Sequence, residues 1–354
     1  MKRGYVVIAI VVVAAFLVSV PMLNTTKEDF STYNTDWNGC SRVKELSARD
    51  GHETRVIFSM SEIGGSTNGV LIMLNPDKRT AMTGQDLSDL KNYVQNGGCL
   101  VLANDFGNAN AVVKGLGLVR SVRFDGALLR DNVTNWADDA HPLVTNVTPS
   151  SVTSGVHTLY FNYATTLDTA GPRVTVLARS APTSDVHTAL GRNTRASGGG
   201  RPVLAHTTYG KGKVLLLSDP SVFINGMVDK GDNEKLFTNV IANFTADAAG
   251  PVMFDESQRA SHPVWSLAYD RVNADDTIKY GVALCSMAVV VIGMHLLARR
   301  RRQPERVKLG DVSVDEAIVL DDIVRTHPGW QRAQLKGLLR HLQRERRTKR
   351  DNRK

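Results

Sequence analysis

Residues 69–103 read GVLIMLNPDKRTAMTGQDLSDLKNYVQNGGCLVLA, in which two apolar runs of strand length flank a helical pattern. The runs are 69–74 and 99–103, and between them Leu90 and Val94 recur at helical spacing before a Gly-Gly pair that ends the helix. Strand, helix and strand joined by short turns predict a parallel βαβ unit. The unbroken apolar character of both strands predicts a sheet that is covered on its two faces.

Patterns outside this unit extend the predicted domain. Residues 202–209 and 213–217 flank Gly210-Lys211-Gly212, which predicts a β-hairpin. Together these elements predict an α/β domain built on a parallel sheet. The other predicted elements are strands at 55–60, within 152–167 and at 172–179, a short helix at 110–116, and a closing amphipathic helix at 233–244.

Two long uncharged runs, 5–23 and 280–298, predict membrane-spanning helices, because a bilayer core needs about 20 apolar residues of helix. Lys2 and Arg3 precede the first run and four arginines follow the second, and basic residues mark the cytoplasmic side of a span. We therefore expect a two-pass cell-membrane protein. A cleaved signal peptide is the alternative for the first run, although residues 19–23 offer no good small-residue cleavage site. The expected divisions are a cytoplasmic N-terminus at 1–4, a span at 5–23, an extracytoplasmic α/β domain at 24–279, a span at 280–298 and a basic cytoplasmic helical tail at 299–354.

The net charge of +8 is concentrated in the last segment of the chain. Residues 299–354 contain 17 Lys and Arg against 8 Asp and Glu, and Lys2 and Arg3 add two further charges, which leaves −3 for the rest of the chain. A mildly acidic central domain argues against nucleic-acid binding, and we expect no nucleic-acid partner. For residues 299–354 we expect contact with the anionic lipid of the bilayer or with an intracellular protein.

The tail carries signals for two helices. Ser313 and Glu316 have the spacing of a capping box, and His327-Pro328-Gly329 ends the helix that follows. Apolar and basic residues then alternate at helical spacing from 332 to 344, and we expect disorder from Arg344 to the end. A helix-turn-helix that binds nucleic acid is the less favoured alternative.

Acidic and amide side chains follow several of the predicted strands. In open α/β sheets, ligands bind beyond the carboxyl ends of the strands, so these residues are candidates for a ligand-binding rim. The alternative is structural, because Asp and Asn also favour turns and helix N-caps. The candidate rim residues are Asp105, Asp219, Asn225, Asp232, Asn233, Asp255 and Glu256.

Four short motifs resemble the domain of unknown function numbered 4350. They are STYNTDWNG at 31–39, GKGKVLLLSDPS at 210–221, Asp232-Asn233, and FDES at 254–257. The resemblance implies a prokaryotic or archaeal protein with a flavodoxin-like sheet, similar in fold to the class I glutamine amidotransferases. It also implies MoxR-type ATPases and von Willebrand A-like proteins as partners, since family genes often neighbour theirs.

The residues that amidotransferase chemistry needs are not at the expected positions. The enzymes of that fold place a nucleophilic Cys on the turn after a strand, whereas the turn after 99–103 begins with Asn104-Asp105. Cys99 lies at the opposite end of that strand, and a disulfide between it and Cys40 stays open. The histidines have no zinc-ligand spacing, and we expect no metal and no cofactor. The sequence favours a membrane-tethered, non-catalytic binding or scaffold protein, and the alternative is a metal-assisted hydrolase using Asp105, Asp219 and Asp232.

Overall fold

A computed structural model of the chain describes residues 26–63, 68–77, 82–187, 193–195, 200–259 and 316–351, together with isolated helical residues between 280 and 293. The chain forms two compact units, Met1–Val291 and Ile292–Lys354. The first unit contains an α/β domain, and the second contains a pair of helices.

The strands of the α/β domain form one large sheet and three small ones. The large sheet has the order β1-β15-β2-β3-β14-β13-β10-β7, and the small sheets are β12-β11-β5, β4-β9 and β6-β8. In chain order the strands are β1 (Thr54–Ile57), β2 (Val70–Leu74), β3 (Cys99–Ala103), β4 (Val122–Phe124), β5 (Leu128–Arg130), β6 (Leu143–Val144), β7 (Asn146–Val147), β8 (Leu159–Tyr160), β9 (Leu167–Thr169), β10 (Val174–Arg179), β11 (Asp185–His187), β12 (Asn193–Arg195), β13 (Pro202–Tyr209), β14 (Gly212–Leu217) and β15 (Val252–Asp255).

The large sheet is mixed, so the prediction of a parallel sheet is wrong for part of it. The five strands β1, β15, β2, β3 and β14 run parallel to one another. The hairpin β13–β14 reverses the direction, and β13, β10 and β7 continue the sheet as antiparallel strands. The predicted hairpin and the parallel pairing of β2 with β3 are confirmed.

Helices cover both faces of the parallel strands. They are α1 (Ser41–Arg49), α2 (Gly84–Gln95), α3 (Ala109–Gly115) and α4 (Asn233–Asp247). Along β2, Val70, Ile72 and Leu74 belong to the core under α1 and α4, whereas Leu71 and Met73 belong to the core under α2 and α3. The apolar runs of the sequence are therefore explained by burial on two sides.

The connection from β2 to β3 shows how local signals position the sheet. Thr83 and Asp86 form a reciprocal capping box at the start of α2. Near the end of α2, the hydroxyl of buried Tyr93 donates to the backbone oxygen of Gly69 at 2.6 Å. The ring of Tyr93 leaves no room for a side chain at Gly98, where a Cβ would come within 2.3 Å of a ring atom. The Gly-Gly pair therefore allows close packing of the helix on the next strand.

Two parts of the domain differ from the sequence patterns. Residues 152–167 were expected to be rich in strands, but only β8 and the first residue of β9 fall within them. β15 was not predicted, although it lies between β1 and β2 in the sheet. It pairs with strands that precede it by about 180 residues, for example Val252 with Val70, so nothing local signals its place.

The predicted two-pass topology is contradicted. Among the described residues, no helix combines the length and the apolar character that a bilayer span requires. The predicted span at 5–23 lies outside the described residues, and only isolated residues of the one at 280–298 are described. The predicted cell-membrane localisation, with the central domain outside the cytoplasm, depended on those two helices and therefore loses its basis.

The second unit contains the two helices that the tail pattern predicts, α5 (Glu316–Thr326) and α6 (Arg332–Asp351). Because α6 continues to Asp351, the prediction of disorder from Arg344 is wrong for most of that segment. Ser313, the predicted cap of the first helix, lies outside the described residues.

Replacement of Leu216 by Ala tests the doubly covered sheet. This side chain is fully buried on β14, so we expect the substitution to lower the free energy of unfolding by about 2–5 kcal/mol. Chemical denaturation measures the change. Val133→Ala is the control, because Val133 is 70% exposed and its loss is expected to stay within about 0.5 kcal/mol. Equal effects of the two substitutions would contradict the described core.

Candidate functional site

The carboxyl ends of the parallel strands meet at one edge of the sheet, which we call the carboxyl edge. It is formed by the residues that end or directly follow β15, β2, β3 and β14. Parallel pairing brings these ends together, so residues that are distant in the chain become neighbours there. The carboxyl-edge residues are Asp255 and Glu256, Asn75, Asn104 and Asp105, and Ser218 and Asp219.

The segment 26–40, which precedes α1, packs onto the carboxyl edge through side-chain hydrogen bonds. Glu256 accepts hydrogen bonds from the backbone N–H and the hydroxyl of Thr32 at 2.6 and 2.8 Å. Asn225 accepts from the backbone N–H of Arg42 at 2.9 Å and donates to the backbone oxygens of Asn34 and Asp36 at 2.9 and 2.7 Å. These two predicted rim residues therefore hold this segment in place.

Arg259 lies at the centre of this contact and was not predicted from the sequence. It is 7% exposed, and its guanidinium donates to the backbone oxygens of Leu74, Asn75 and Phe30. Phe30 and Asn75 both have left-handed backbone conformations, with φ of 59° and 43°. Such conformations are unfavourable for residues other than glycine, so the contacts with Arg259 help to hold a strained backbone.

A cavity of about 750 Å³ lies between segment 26–30 and the ends of β2 and β3. The residues that line it are Thr26, Lys27, Glu28, Asp29, Phe30, Asn75, Pro76, Asp77, Asp105, Phe106, Gly107 and Arg259. Of the predicted rim residues, the cavity lining contains Asp105 alone. Asn75 directly follows an apolar strand, as Asn104 does, so the same sequence pattern marks Asn75 as a residue of this edge.

Gly107 allows the cavity floor to form. A Cβ at this position would come within 2.3 Å of the side-chain oxygen of Asn75 and 2.6 Å of that of Asn104. The side-chain oxygen of Asn75 is buried and has no hydrogen-bond partner among the described residues. The turn after β3 can therefore lie against the residues that follow β2 only because residue 107 has no side chain.

Asp219 and Asp105 lie close enough at the carboxyl edge to interact electrostatically. Asp219 is fully buried and accepts from the backbone N–H groups of Asn162 and Ser221 at 2.6 and 2.8 Å. Burial raises the pKa of the Asp219 carboxyl to about 8, and the charge of Asp105 acts in the same direction, whereas the two N–H donors oppose the rise. Asp219 thus serves as the buried cap of the turn Pro220–Phe223.

Asp232 and Asn233 bind a neighbouring loop. Asp232 accepts hydrogen bonds from the backbone N–H groups of His157 and Thr158. Partial burial raises the pKa of its carboxyl, but these donors outweigh that effect and the pKa is lowered. The Asn233 side chain accepts a hydrogen bond from the backbone N–H of Tyr160 and donates one to its backbone oxygen.

The described part of the chain contains no group of three His, Cys, Asp or Glu side chains that could hold a metal ion. Asp105, Asp219 and Asp232 therefore do not form the three-carboxylate site that the hydrolase alternative requires.

Asp255 and Glu256 are buried at the end of β15, with exposed fractions of 4% and 1%. Each has one carboxylate oxygen without a hydrogen-bond partner among the described residues, while the other oxygen accepts from Ser257 or Thr32. Burial raises the pKa of the Asp255 carboxyl to about 6, and the nearby Arg259 guanidinium partly counteracts the rise. Neither residue of this pair lines the cavity.

The two described cysteines outside 280–293 are free and buried, so no disulfide links Cys40 to Cys99. Burial raises the pKa of both thiols. Because the thiolate is the nucleophilic form, burial makes both residues poor nucleophiles. Neither lies on the turn after β3.

One family model matches this sequence, described as Domain of unknown function (DUF4350), and it covers residues 32–241, more than half of the chain. The chain belongs to this family. The match includes residues 32–40 of the segment that packs onto the carboxyl edge, the turn after β3 and most of α4. No curated protein sequence matches the chain.

Several solved structures resemble the DUF4350 domain at low identity. The mmIFT52 N-terminal domain has a TM-score of 0.48 and 18% identity, with 62% of this chain and 94% of that chain covered. A cytoplasmic protein from Salmonella typhimurium LT2 has a TM-score of 0.36 and 15% identity over 59% and 80% of the two chains. A β-galactosidase from Bacillus circulans sp. alkalophilus has a TM-score of 0.32 and 13% identity over 51% and 23%.

Replacement of Asn225 by Ala tests how segment 26–40 is held. The substitution removes the hydrogen bonds to Arg42, Asn34 and Asp36, and also longer contacts with the hydroxyl of Ser41 at 3.2 and 3.4 Å. At about 1 kcal/mol for each bond, we expect a loss of roughly 3 kcal/mol in the free energy of unfolding. Asn239→Ala is the control, since Asn239 donates a bond at the surface, to Ser154. A loss no larger than that of the control would contradict the role assigned to Asn225.

Replacement of Asp219 by Asn tests the buried carboxyl. The folded-state pKa of Asp219, about 8, lies above the unfolded value near 4, so the folded protein keeps a proton that the unfolded chain releases. The stability of the wild type relative to Asp219→Asn should therefore fall as pH rises from about 4 to about 8, by at most about 1.4 kcal/mol per pH unit. Denaturant unfolding of both proteins across this range measures the difference. A difference that does not change with pH would show that Asp219 is ionised throughout.

Proposed function

We propose that the DUF4350 domain of this chain is a non-catalytic binding module that takes its ligand in the cavity at the carboxyl edge. The cavity is the observation that supports this proposal. Its volume of about 750 Å³ lies within the range of about 300–1,000 Å³ that is typical of small-molecule sites. It also lies where ligands bind in α/β sheets, beyond the carboxyl ends of parallel strands.

The surroundings of the cavity favour a preformed site. Two lining residues, Phe30 and Asn75, have strained backbones that Arg259 holds through its hydrogen bonds. Strain of this kind costs of the order of 1–3 kcal/mol per residue and often accompanies ligand binding. A wall that is fixed before the ligand arrives loses less conformational freedom on binding.

The residues near the cavity favour binding over catalysis. The turn after β3 presents Asp105 and Phe106 to the cavity, and neither is a nucleophile of the amidotransferase type. Burial keeps the thiol of Cys40 in its protonated form, and the carboxyl of Asp219 is used as a cap. A scaffold role with MoxR-type and von Willebrand A-like partners, and a protein contact through 299–354, remain predictions from the sequence.

Replacement of Phe106 by Ala tests the cavity. Phe106 is 38% exposed and lines the cavity, so its loss removes contact area from a ligand and is expected to have little effect on the fold. A metabolite and fragment library is screened against the wild type by ligand-observed NMR. We expect compounds that bind the wild type to bind Phe106→Ala at least about tenfold more weakly, a loss of about 1.4 kcal/mol.

The matched control is Trp37→Ala. Trp37 is also an exposed aromatic residue, at 67%, but it does not line the cavity, so the same compounds should bind this variant as they bind the wild type. The proposal fails if the library yields no binder, or if Phe106→Ala and Trp37→Ala have equal effects on binding.

A further inference from the structure

The helix pair α5–α6 leaves much of its apolar surface uncovered. Leu320 of α5 and Leu335 of α6 are buried, with 4% and 8% exposure. By contrast, Trp330 in the connecting turn and Leu338 and Leu342 of α6 are 56%, 61% and 50% exposed. We call these three exposed residues the open seam.

The open seam continues the buried face of α6. Leu335, Leu338 and Leu342 have the spacing i, i+3 and i+7, which places them on one side of a helix. Among the described side chains of this hairpin, only Leu320 and Leu335 are buried, and units of fewer than about 40 residues usually need oligomerisation, disulfides or a metal to be stable. The pair therefore gains stability when another apolar surface covers the seam.

The charges of the two helices indicate what that surface is. α5 contains Glu316, Asp321 and Asp322 against Arg325 and is net acidic. The part of α6 that carries the seam contains Arg332, Lys336 and Arg340 and no acidic residue. Within one hairpin the acidic α5 and the basic α6 already attract each other, since Arg332 and Asp321 form an ion pair at 2.6 Å.

A second copy of the hairpin supplies both the apolar face and the complementary charge. In a four-helix bundle made from two hairpins, each α6 lies beside its own α5 and beside the α5 of the other copy, and the two α6 helices lie diagonally. Each basic helix then contacts two acidic helices, so like charges are kept apart. A different acidic protein would supply negative charge to α6. It would not supply a second basic helix to the acidic α5.

We propose that the open seam is a self-association surface, through which the α5–α6 hairpins of two copies of this chain form a four-helix bundle. The exposed leucines of each α6 fill the centre of the bundle, and Trp330 covers its end. The two DUF4350 domains are thereby joined in one particle, and each particle presents two cavities.

Sedimentation velocity of the full purified chain, over a wide range of concentration, tests this proposal. We expect the mass of two chains for the wild type and the mass of one chain for the double variant Leu338→Ser with Leu342→Ser. Both leucines are exposed in the single hairpin, so their replacement is expected to leave its helices intact, which circular dichroism checks.

The matched control is the double variant Gln334→Ser with His341→Ser, which makes the same number of changes at exposed polar positions of α6 and should remain a dimer. A wild type that stays monomeric at every concentration overturns the proposal. So does a dimer that persists in the leucine variant, because the two copies would then associate through another surface. A wild-type particle whose added mass is lipid or a different protein also overturns it.

Discussion

Burial of both faces of the parallel strands is the constraint on which the rest of the α/β domain depends. β2 and β3 are apolar along their whole length because α1 and α4 cover one face and α2 and α3 cover the other. Polar side chains are consequently tolerated only past the strand ends. Since parallel strands end at the same edge, these polar residues collect in one row, and the carboxyl edge is the result.

A row of buried polar groups needs partners, and segment 26–40 provides many of them. Glu256, Asn225 and Arg259 bond backbone atoms of this segment or of the strand ends beneath it. The segment is therefore held by side chains that come from distant parts of the sequence. These bonds also fix the backbones of Phe30 and Asn75, which line the cavity. The hydrogen bonds that hold segment 26–40 on the sheet therefore also shape the cavity.

The same burial sets the protonation of several groups in the domain. It keeps the thiols of Cys40 and Cys99 protonated and raises the pKa of Asp219, so groups that are reactive in other settings have structural roles here. The cavity is lined by other residues, among them Asp105, Phe106 and Gly107 from the turn after β3. Gly107 contributes because it has no side chain. A Cβ at this position would clash with the side-chain oxygens of Asn75 and Asn104.

Local patterns determined the parts of the fold whose contacts are close in sequence. The periodicity of 69–103 was sufficient for β2, α2 and β3, and Gly210-Lys211 was sufficient for the hairpin β13–β14. Long-range contacts decided what the sequence did not indicate. The place of β15 depends on pairing with Val70, and the role of Arg259 depends on Phe30, which precedes it by more than 200 residues. Asp232 directly precedes α4, where Asp favours a helix N-cap, but tertiary contact directs its carboxylate to the backbone of His157 and Thr158. A sequence pattern reports the neighbours of a residue along the chain, whereas the partner of a buried polar group is set by which strands and loops the fold brings beside it.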